Sequence, residues 1–374
     1  MNILYVNGNV IYENEKGMFI YRGNGTFLVE LARLVDRLEL FQFRMKFRDN
    51  DCLADFNITD KGFDIVSIPR GRRIYLPYFK AVWVGFRRIR KSDFLYLSYP
   101  GNICMIMAIF AILQRKPFGL YVRGEKGVRS KISRYLFRHA VISLTISPVF
   151  TKFIRTLKAP AETIRPMIEY READILQDRR YPTKEIYQLL YVGRIEYFKG
   201  IYDLVDAIKI IIDRKSTNIH MSIVGDGADA NKIKHRVAAL GLSKYVTFQG
   251  TVSDHNQLAY LYRQSDLFIL PTHHEGFPRV LYESMIAGLP IITTFVGTIS
   301  HLMKDGFNCY RIPPKNPSAL AEKVIQVLQD YENTSTVAFN GTETIKNYLG
   351  DKAESHAVQL MRILLEKGLY KGAK

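Results

Sequence analysis

The stretch Leu270-Pro-Thr-His-His-Glu-Gly-Phe-Pro-Arg-Val-Leu-Tyr-Glu-Ser-Met-Ile-Ala-Gly-Leu-Pro-Ile-Ile-Thr293 follows directly on Asp266-Leu-Phe-Ile-Leu270. That short apolar run reads as a buried parallel strand. Pro271, with no N–H to give a ladder, closes it. Gly276 and Pro278 force a tight loop, Val280 to Ala287 has helical spacing, and Gly288 is placed to stop the helix. A second apolar strand follows at Pro290–Thr294. Strand, loop, helix, strand is the repeating unit of a parallel α/β sheet, and such sheets bind ligands at the carboxyl ends of their strands. Glu275 is delivered to that end. Glu283 lies in the helix that follows, whose N-terminus favours anions. Either acid alone also fits an ordinary exposed glutamate; the pair in a Gly-Phe-Pro setting points to a site.

Working outward, 374 residues exceed a typical single core and predict two domains. The hydrophobic share of 47% is enough for two well-packed cores. Cys52, Cys104 and Cys309 are widely spaced and have neither disulfide nor metal-ligand spacing, which argues against a disulfide framework and a zinc site and fits a reducing cytoplasm. Met1-Asn-Ile-Leu-Tyr-Val6 leads straight into a strand without signal-peptide character. The longest apolar run, Ile103 to Leu113, is too short to span a bilayer. Charge is uneven: residues 1–170 hold 28 Lys and Arg against 14 Asp and Glu, whereas residues 171–374 hold 25 against 22. The basic first half invites an acidic neighbour, whether nucleic acid, an anionic membrane face or a phosphorylated substrate.

That half alternates strands and helices. Asn2–Val6 is the first strand, Tyr21-Arg-Gly-Asn-Gly-Thr26 a glycine-bearing loop, and Phe27–Leu38 a helix. Gly23, Asn24 and Gly25 could hold phosphate on backbone amides, or form a plain turn. In 78–91, Phe79, Val82, Trp83, Phe86 and Ile89 share one helical face, with Lys80, Arg87, Arg88, Arg90 and Lys91 supplying charge. Such a helix either lies on a membrane surface or packs that face on its own sheet. Arg123-Gly-Glu-Lys-Gly127 follows the strand Phe118–Val122. A polar, proline-bearing stretch places a linker at 169–185, between a domain 1–168 and a second at 186–345, with 346–374 as a terminal segment.

In the second half, Tyr187–Val192 is a strand followed by the loop Gly193-Arg-Ile-Glu-Tyr-Phe-Lys-Gly200. Ile219–Val224 ends in Gly225-Asp-Gly227, and Val246–Gln249 is the next strand. Arg194 and Lys199 therefore sit at one strand end, and Glu275 and Glu283 at another. Fixed cations there would offset the charge of a departing diphosphate, and carboxylates accept hydrogen bonds from sugar hydroxyls. The combination suits transfer from a nucleotide-activated sugar. Arg194 and Lys199 also fit solvated loop charges.

Taken together, Tyr191-Val-Gly-Arg-Ile-Glu-Tyr-Phe-Lys-Gly200, Ile223-Val-Gly-Asp-Gly227, Val246-Thr-Phe-Gln-Gly250, Asp266–Pro271, Glu275-Gly-Phe-Pro with Glu283, and Asp305-Gly-Phe-Asn-Cys309 resemble the retaining family-four glycosyltransferases of the GT-B fold. The resemblance covers roughly residues 186–330. It implies an α/β chain of two Rossmann-like domains whose parallel sheets face across a cleft. It implies that Arg194 and Lys199 bind the donor diphosphate and that Glu275 lies against the donor sugar, with backbone amides from Gly276 and Phe277. Glu283 would hold the ribose, Gly225 would belong to the donor-site turns, and the turn at Gly250 and Thr251 would border the base. The first half resembles the family's acceptor domain more loosely, through Gly23-Asn-Gly25 and Ser147-Pro-Val. Where many members place a histidine, this chain has Arg123-Gly-Glu125. The tail His356–Leu369 is expected to cross back to the first domain.

The expectation is a metal-independent, retaining glycosyltransferase of hexosyltransferase type, without a cofactor. It would use a UDP- or GDP-linked sugar and act on a glycan or lipid-phosphate-linked acceptor in cell-surface polysaccharide synthesis. It would be cytoplasmic and peripheral on the inner face of the membrane. A nucleotide-sugar epimerase on the same fold is the alternative. A nucleic-acid-binding protein is the other reading of the basic surplus, but the chain has no helix-turn-helix, zinc-finger or RNA-binding signature.

Overall fold

The first strand runs on well past the point where its apolar run stops. In a computed structural model, which describes residues 1–46, 54, 56–70, 75–123, 127–168, 170–215, 218–275, 278–349 and 354–371, β1 spans Asn2–Asn14. Its register shifts between Val6 and Val10, and its far end forms a hairpin with β2 (Gly17–Ile20). Helix α1 (Arg22–Leu34) follows, then β3 (Arg37–Lys46), the short β4 (Phe56–Asn57) and β5 (Asp64–Pro69). From there strands and helices alternate: α2 (Tyr75–Lys91), β6 (Phe94–Tyr99), α3 (Asn102–Leu113), β7 (Phe118–Val122), α4 (Lys131–His139), β8 (Ile142–Thr145), α5 (Pro148–Thr156) and β9 (Ala161–Thr163). The parallel strands lie in the order β5-β3-β1-β6-β7-β8-β9, with β2 and β4 antiparallel at the far end of β1. Helices α2 to α5 cover one face of this sheet. Helix α1 covers the other, with the last helix of the chain beside it.

The second set comprises β10 (Tyr187–Val192), α6 (Ile201–Arg214), β11 (Ile219–Val224), α7 (Ala230–Ala239), β12 (Val246–Gly250), α8 (His255–Gln264) and β13 (Leu267–Leu270). It continues through α9 (Arg279–Ile286), β14 (Ile291–Thr294), α10 (Ile299–Leu302), β15 (Tyr310–Ile312), α11 (Pro317–Gln329) and α12 (Thr334–Leu349). All its strands are parallel, in the order β12-β11-β10-β13-β14-β15. Crossovers from β10 run outward to one edge through β11 and β12. The chain then returns to the other side of β10 with β13. β13 is buried at all four residues; each such side chain contributes roughly 2 kcal/mol. Finally α13 (His356–Glu366) packs on α1. The chain divides into two compact units, Met1–Glu169 with Glu354–Lys374, and Tyr170–Ala353.

Three expectations are corrected. First, Gly23, Asn24 and Gly25 are not a loop but the buried first turn of α1, where the Tyr21 carbonyl accepts the N–H groups of Asn24 and Gly25. Gly25 is required by packing: a Cβ there would come 2.2 Å from the ring of Phe56 on β4. Second, the linker expected at 169–185 belongs, from residue 170, to the second unit. Leu176 N donates to Ile286 O at 2.8 Å, Arg179 reaches the carbonyls of Ser265 and Ala287, and Lys184 pairs with Asp266 at 2.5 Å. Third, the five apolar residues of α2 do not act as one buried face. Ala81, Gly85 and Ile89 turn inward, while Phe79 and Trp83 are exposed. Small residues occupy the inner face, and the Met107 side chain of α3 fills the space beside Gly85, its methyl 1.9 Å from where a Cβ would lie. Among the described residues, no helix is long and apolar enough to cross a membrane.

Candidate donor-binding site

The order of the second sheet puts a crevice between the carboxyl ends of β10 and β13, where the crossovers change direction; open α/β sheets bind ligands at that switch point. Two loops meet there. The first leaves β10 through Gly193, Arg194, Ile195 and Glu196, makes a 3-10 turn over Tyr197–Lys199, and enters α6 at Gly200. The second leaves β13 through Pro271 and carries Thr272 to Glu275 towards α9. Gly200 has φ 70°, and a Cβ there would lie 1.9 Å from the Pro271 carbonyl oxygen, so only glycine lets the loops touch. The Phe198 carbonyl then accepts the N–H of His273 (2.9 Å) and His274 (3.3 Å) and the hydroxyl of Thr272 (3.1 Å). His273 Nε2 lies 2.6 Å from Asp203 Oδ2, which adds a side-chain tie between the second loop and α6.

These ties bring Lys199 and Glu275 together. Lys199 Nζ donates to Glu275 Oε2 at 2.5 Å, and the two side chains are only 14% and 13% exposed. Arg194 is placed differently: its side chain is 65% exposed and pairs with Glu196 at 3.0 Å. Tyr191, buried at the end of β10, donates its hydroxyl to the Arg194 carbonyl at 2.8 Å and so anchors that loop from beneath. Burial, followed by the Glu275 and Glu196 carboxylates, raises the Tyr191 phenol and keeps it protonated as a donor.

Gly225 and Gly227 brace the first loop. A Cβ on Gly225 would lie 2.0 Å from Gly193 O, and one on Gly227 would lie 2.5 Å from Ile195 O. Ile195 N donates to Asp226 O at 3.0 Å, and Asp229 Oδ2 accepts the Tyr197 N–H at 2.9 Å. Gly250 hands its carbonyl to Gly225 N at 2.7 Å, but nothing occupies the space its Cβ would take. Thr251 beside it is exposed. Glu283, half-buried on α9, accepts the Tyr262 hydroxyl at 2.8 Å. Burial first, and the Glu283 carboxylate second, push that phenol well above its ordinary value, so Tyr262 remains a donor that orients the acid. Gly276 and Phe277 lie outside the described residues.

In the first unit, Arg123 stands at the end of β7, donating its N–H to Tyr99 O at 2.9 Å and its guanidinium to Asn7 Oδ1 at 3.3 Å. Asn7, at the register shift within β1, thus gathers with Tyr99 and Arg123 at the carboxyl ends of β6 and β7. Gly23, Asn24 and Gly25 lie in the first turn of α1. Glu125 lies outside the described residues. No group of three or more His, Cys, Asp or Glu side chains able to hold a metal occurs among the described residues.

Tyr191, Asp203, Asp229 and Tyr262 also belong to the second unit's candidate site, and their roles are not evident from the sequence alone. Alternation along β10 turns Tyr191 inward, a signal that was present. The others depend on which helix lies beside which strand.

Comparison with known proteins places this geometry in context. Residues 175–344 match the family described as Glycosyl transferases group 1. An uncharacterized glycosyltransferase of Methanocaldococcus jannaschii is 30% identical over 179 residues, 48% of this chain and 45% of that protein. The capsular polysaccharide biosynthesis glycosyltransferase CapM of Staphylococcus aureus is 30% identical over 158 residues, 42% of this chain and 40% of that protein. The chain thus matches less than half the length of these two curated relatives. The structure of Anabaena HepE in complex with UDP-glucose superposes with a TM-score of 0.71 at 16% identity, covering 98% of this chain and 99% of that one.

Proposed function

We propose that this protein, whose second unit matches the group 1 glycosyl transferases and whose two units have the GT-B fold, transfers a sugar from a nucleotide-sugar donor to a glycan or lipid-linked acceptor, with retention and without a metal. The observation that carries the reading is the Lys199–Glu275 pair at the switch point of the second sheet. Lys199, with Arg194 at the mouth of the same loop, meets the donor diphosphate and offsets its charge as the sugar–oxygen bond breaks. Glu275 faces the sugar hydroxyls, and Glu283, oriented by Tyr262, faces the ribose. The acceptor hydroxyl attacks the same face of the anomeric carbon, and its proton passes to the departing diphosphate. HepE is a protein crystallised with UDP-glucose, and CapM is named for capsular polysaccharide. A UDP-sugar donor and polysaccharide synthesis are therefore the first candidates to test.

A thermal-shift panel of UDP, GDP, ADP and their glucose conjugates tests the donor class, because a ligand that binds only the folded state stabilises it by about 2.7 kcal/mol at a hundredfold excess over Kd. UDP and UDP-glucose are expected to raise Tm. Glycosyl products should keep the donor's anomeric configuration and form equally well in EDTA. Isomerisation of the nucleotide sugar with no acceptor present would replace this reading with an epimerase.

A further inference from the structure

The basic surplus of the first half is concentrated in one segment. Residues 75–158 hold 16 Lys and Arg against 2 Asp and Glu, while the rest of the first unit, residues 1–74, 159–169 and 354–374, holds 16 against 14. Those 84 residues supply α2, α3, α4 and α5, the layer on one face of the first sheet. The opposite face, covered by α1 and α13, carries no such excess.

This layer also leaves large apolar side chains on the outside. Phe79 and Trp83, one turn apart on α2, are 78% and 58% exposed. Leu113 on α3 is 69% exposed, with Ile109 one turn before it. The two helices lie side by side: Phe86 meets Phe110 edge to face at 5.3 Å, and Gln114 Nε2 donates to Phe86 O at 3.0 Å. Cations stand among these groups. The Arg87 guanidinium stacks 3.6 Å from the Trp83 ring, and Arg90 lies 5.4 Å from the Phe86 ring. Arg88 turns inward, to Glu39 on β3 at 3.2 Å.

We infer that the outer face of α2 and α3 docks on an anionic lipid bilayer, with Phe79, Trp83, Ile109 and Leu113 entering the headgroup–acyl boundary and the surrounding Lys and Arg meeting lipid phosphates. Charge complementarity selects the occupant, since juxtamembrane cations gain from an anionic leaflet and Trp favours the interface. Exposed aliphatic tips argue against nucleic acid, where aromatic faces and cations suffice. The arrangement is that of an interfacial surface rather than a spanning one. This inference concerns the first unit and does not depend on the donor site, because docking is read without turnover.

The test uses the full chain with vesicles of phosphatidylcholine alone or with about one-third phosphatidylglycerol. Trp83 is the only tryptophan, so its emission reports its own insertion. Anionic vesicles should sediment the protein, shift its fluorescence to the blue and shield it from acrylamide, and high salt should reverse all three. Phe79→Ala/Leu113→Ala retains Trp83 and touches only exposed positions. It should lose about tenfold or more in partitioning with an unchanged melting curve. Equal binding to neutral vesicles, no binding to anionic ones, or wild-type partitioning by the double variant overturns the inference. So does a single-stranded oligonucleotide that shields Trp83 while anionic vesicles do not.

Discussion

Lys199 and Glu275 are 76 positions apart in the chain and share a hydrogen bond because β10 and β13 are neighbours in the sheet. Replacing either should act on the reaction more than on the fold. Glu275→Gln keeps a hydrogen-bonding partner for Lys199 and should lower turnover about 10²–10³-fold with little change in Tm. Lys199→Ala should lower turnover similarly and also cost stability, roughly 1–3 kcal/mol, since it leaves a mostly buried carboxylate unpaired. Steady-state rates beside melting curves separate the two effects; a near wild-type rate in either variant would remove that residue from the reaction. Both were legible in the sequence as charges in glycine-bounded loops at strand ends. Arg194 carries the same signal, and its side chain is mostly exposed and paired with Glu196. The distinction lies in loop geometry: the 3-10 turn carries Lys199 inward and leaves Arg194 at the mouth. Tyr262 and Asp203 were not legible as partners, because a tyrosine or aspartate on a crossover helix acquires its role only when that helix is seated.

Among the elements, α13 is held by a buried histidine. His356 Nδ1 donates to the Arg165 carbonyl at 2.7 Å, so Nε2 is the acceptor for the Tyr96 hydroxyl, also at 2.7 Å. Phe27, Tyr96 and Tyr121 surround the ring. Burial lowers its pKa from 6.5 to about 3. Unfolding below pH 6.5 therefore takes up a proton that the folded unit refuses. The stability this provides is complete above about pH 6.5 and falls away as the pH drops towards 3. His356→Gln should flatten the pH dependence of Tm across that window while lowering Tm at neutral pH. An unchanged slope would show that another group is its source. Periodicity reads the buried elements well: the apolar runs Tyr187–Val192 and Ile219–Val224 are β10 and β11 with those bounds. It failed where packing used small residues. On α2 the wheel of large apolar side chains pointed to one face, but Ala81 and Gly85 were the positions that let α3 in. At α1, Gly-Asn-Gly has the composition of a turn, and only the Phe56 ring against Gly25 explains the glycine inside a helix.

For the whole molecule, two α/β units were legible from the double run of alternating strands and helices, but the boundary was not. The polar residues 170–185 look like a linker in composition, whereas their backbone and side chains bond to the second unit. Each unit has its own response. Nucleotide should stabilise Tyr170–Ala353, which carries Lys199 and Glu275, and acid should weaken the unit that contains His356. Calorimetry at pH 7 and pH 5, with and without UDP, should move different transitions; UDP protection of the transition that His356→Gln shifts would contradict this assignment. The return of α13 to α1 also sets an order of assembly. Ala357, Leu360 and Leu364 complete the core around Phe27, Leu28 and Leu31, yet they are synthesised only after the second unit. At about 5–20 residues per second, the intervening 170–353 take roughly 10–40 s to synthesise. The first unit therefore closes only after the second has been made, and until α13 arrives α1 leaves an apolar groove open.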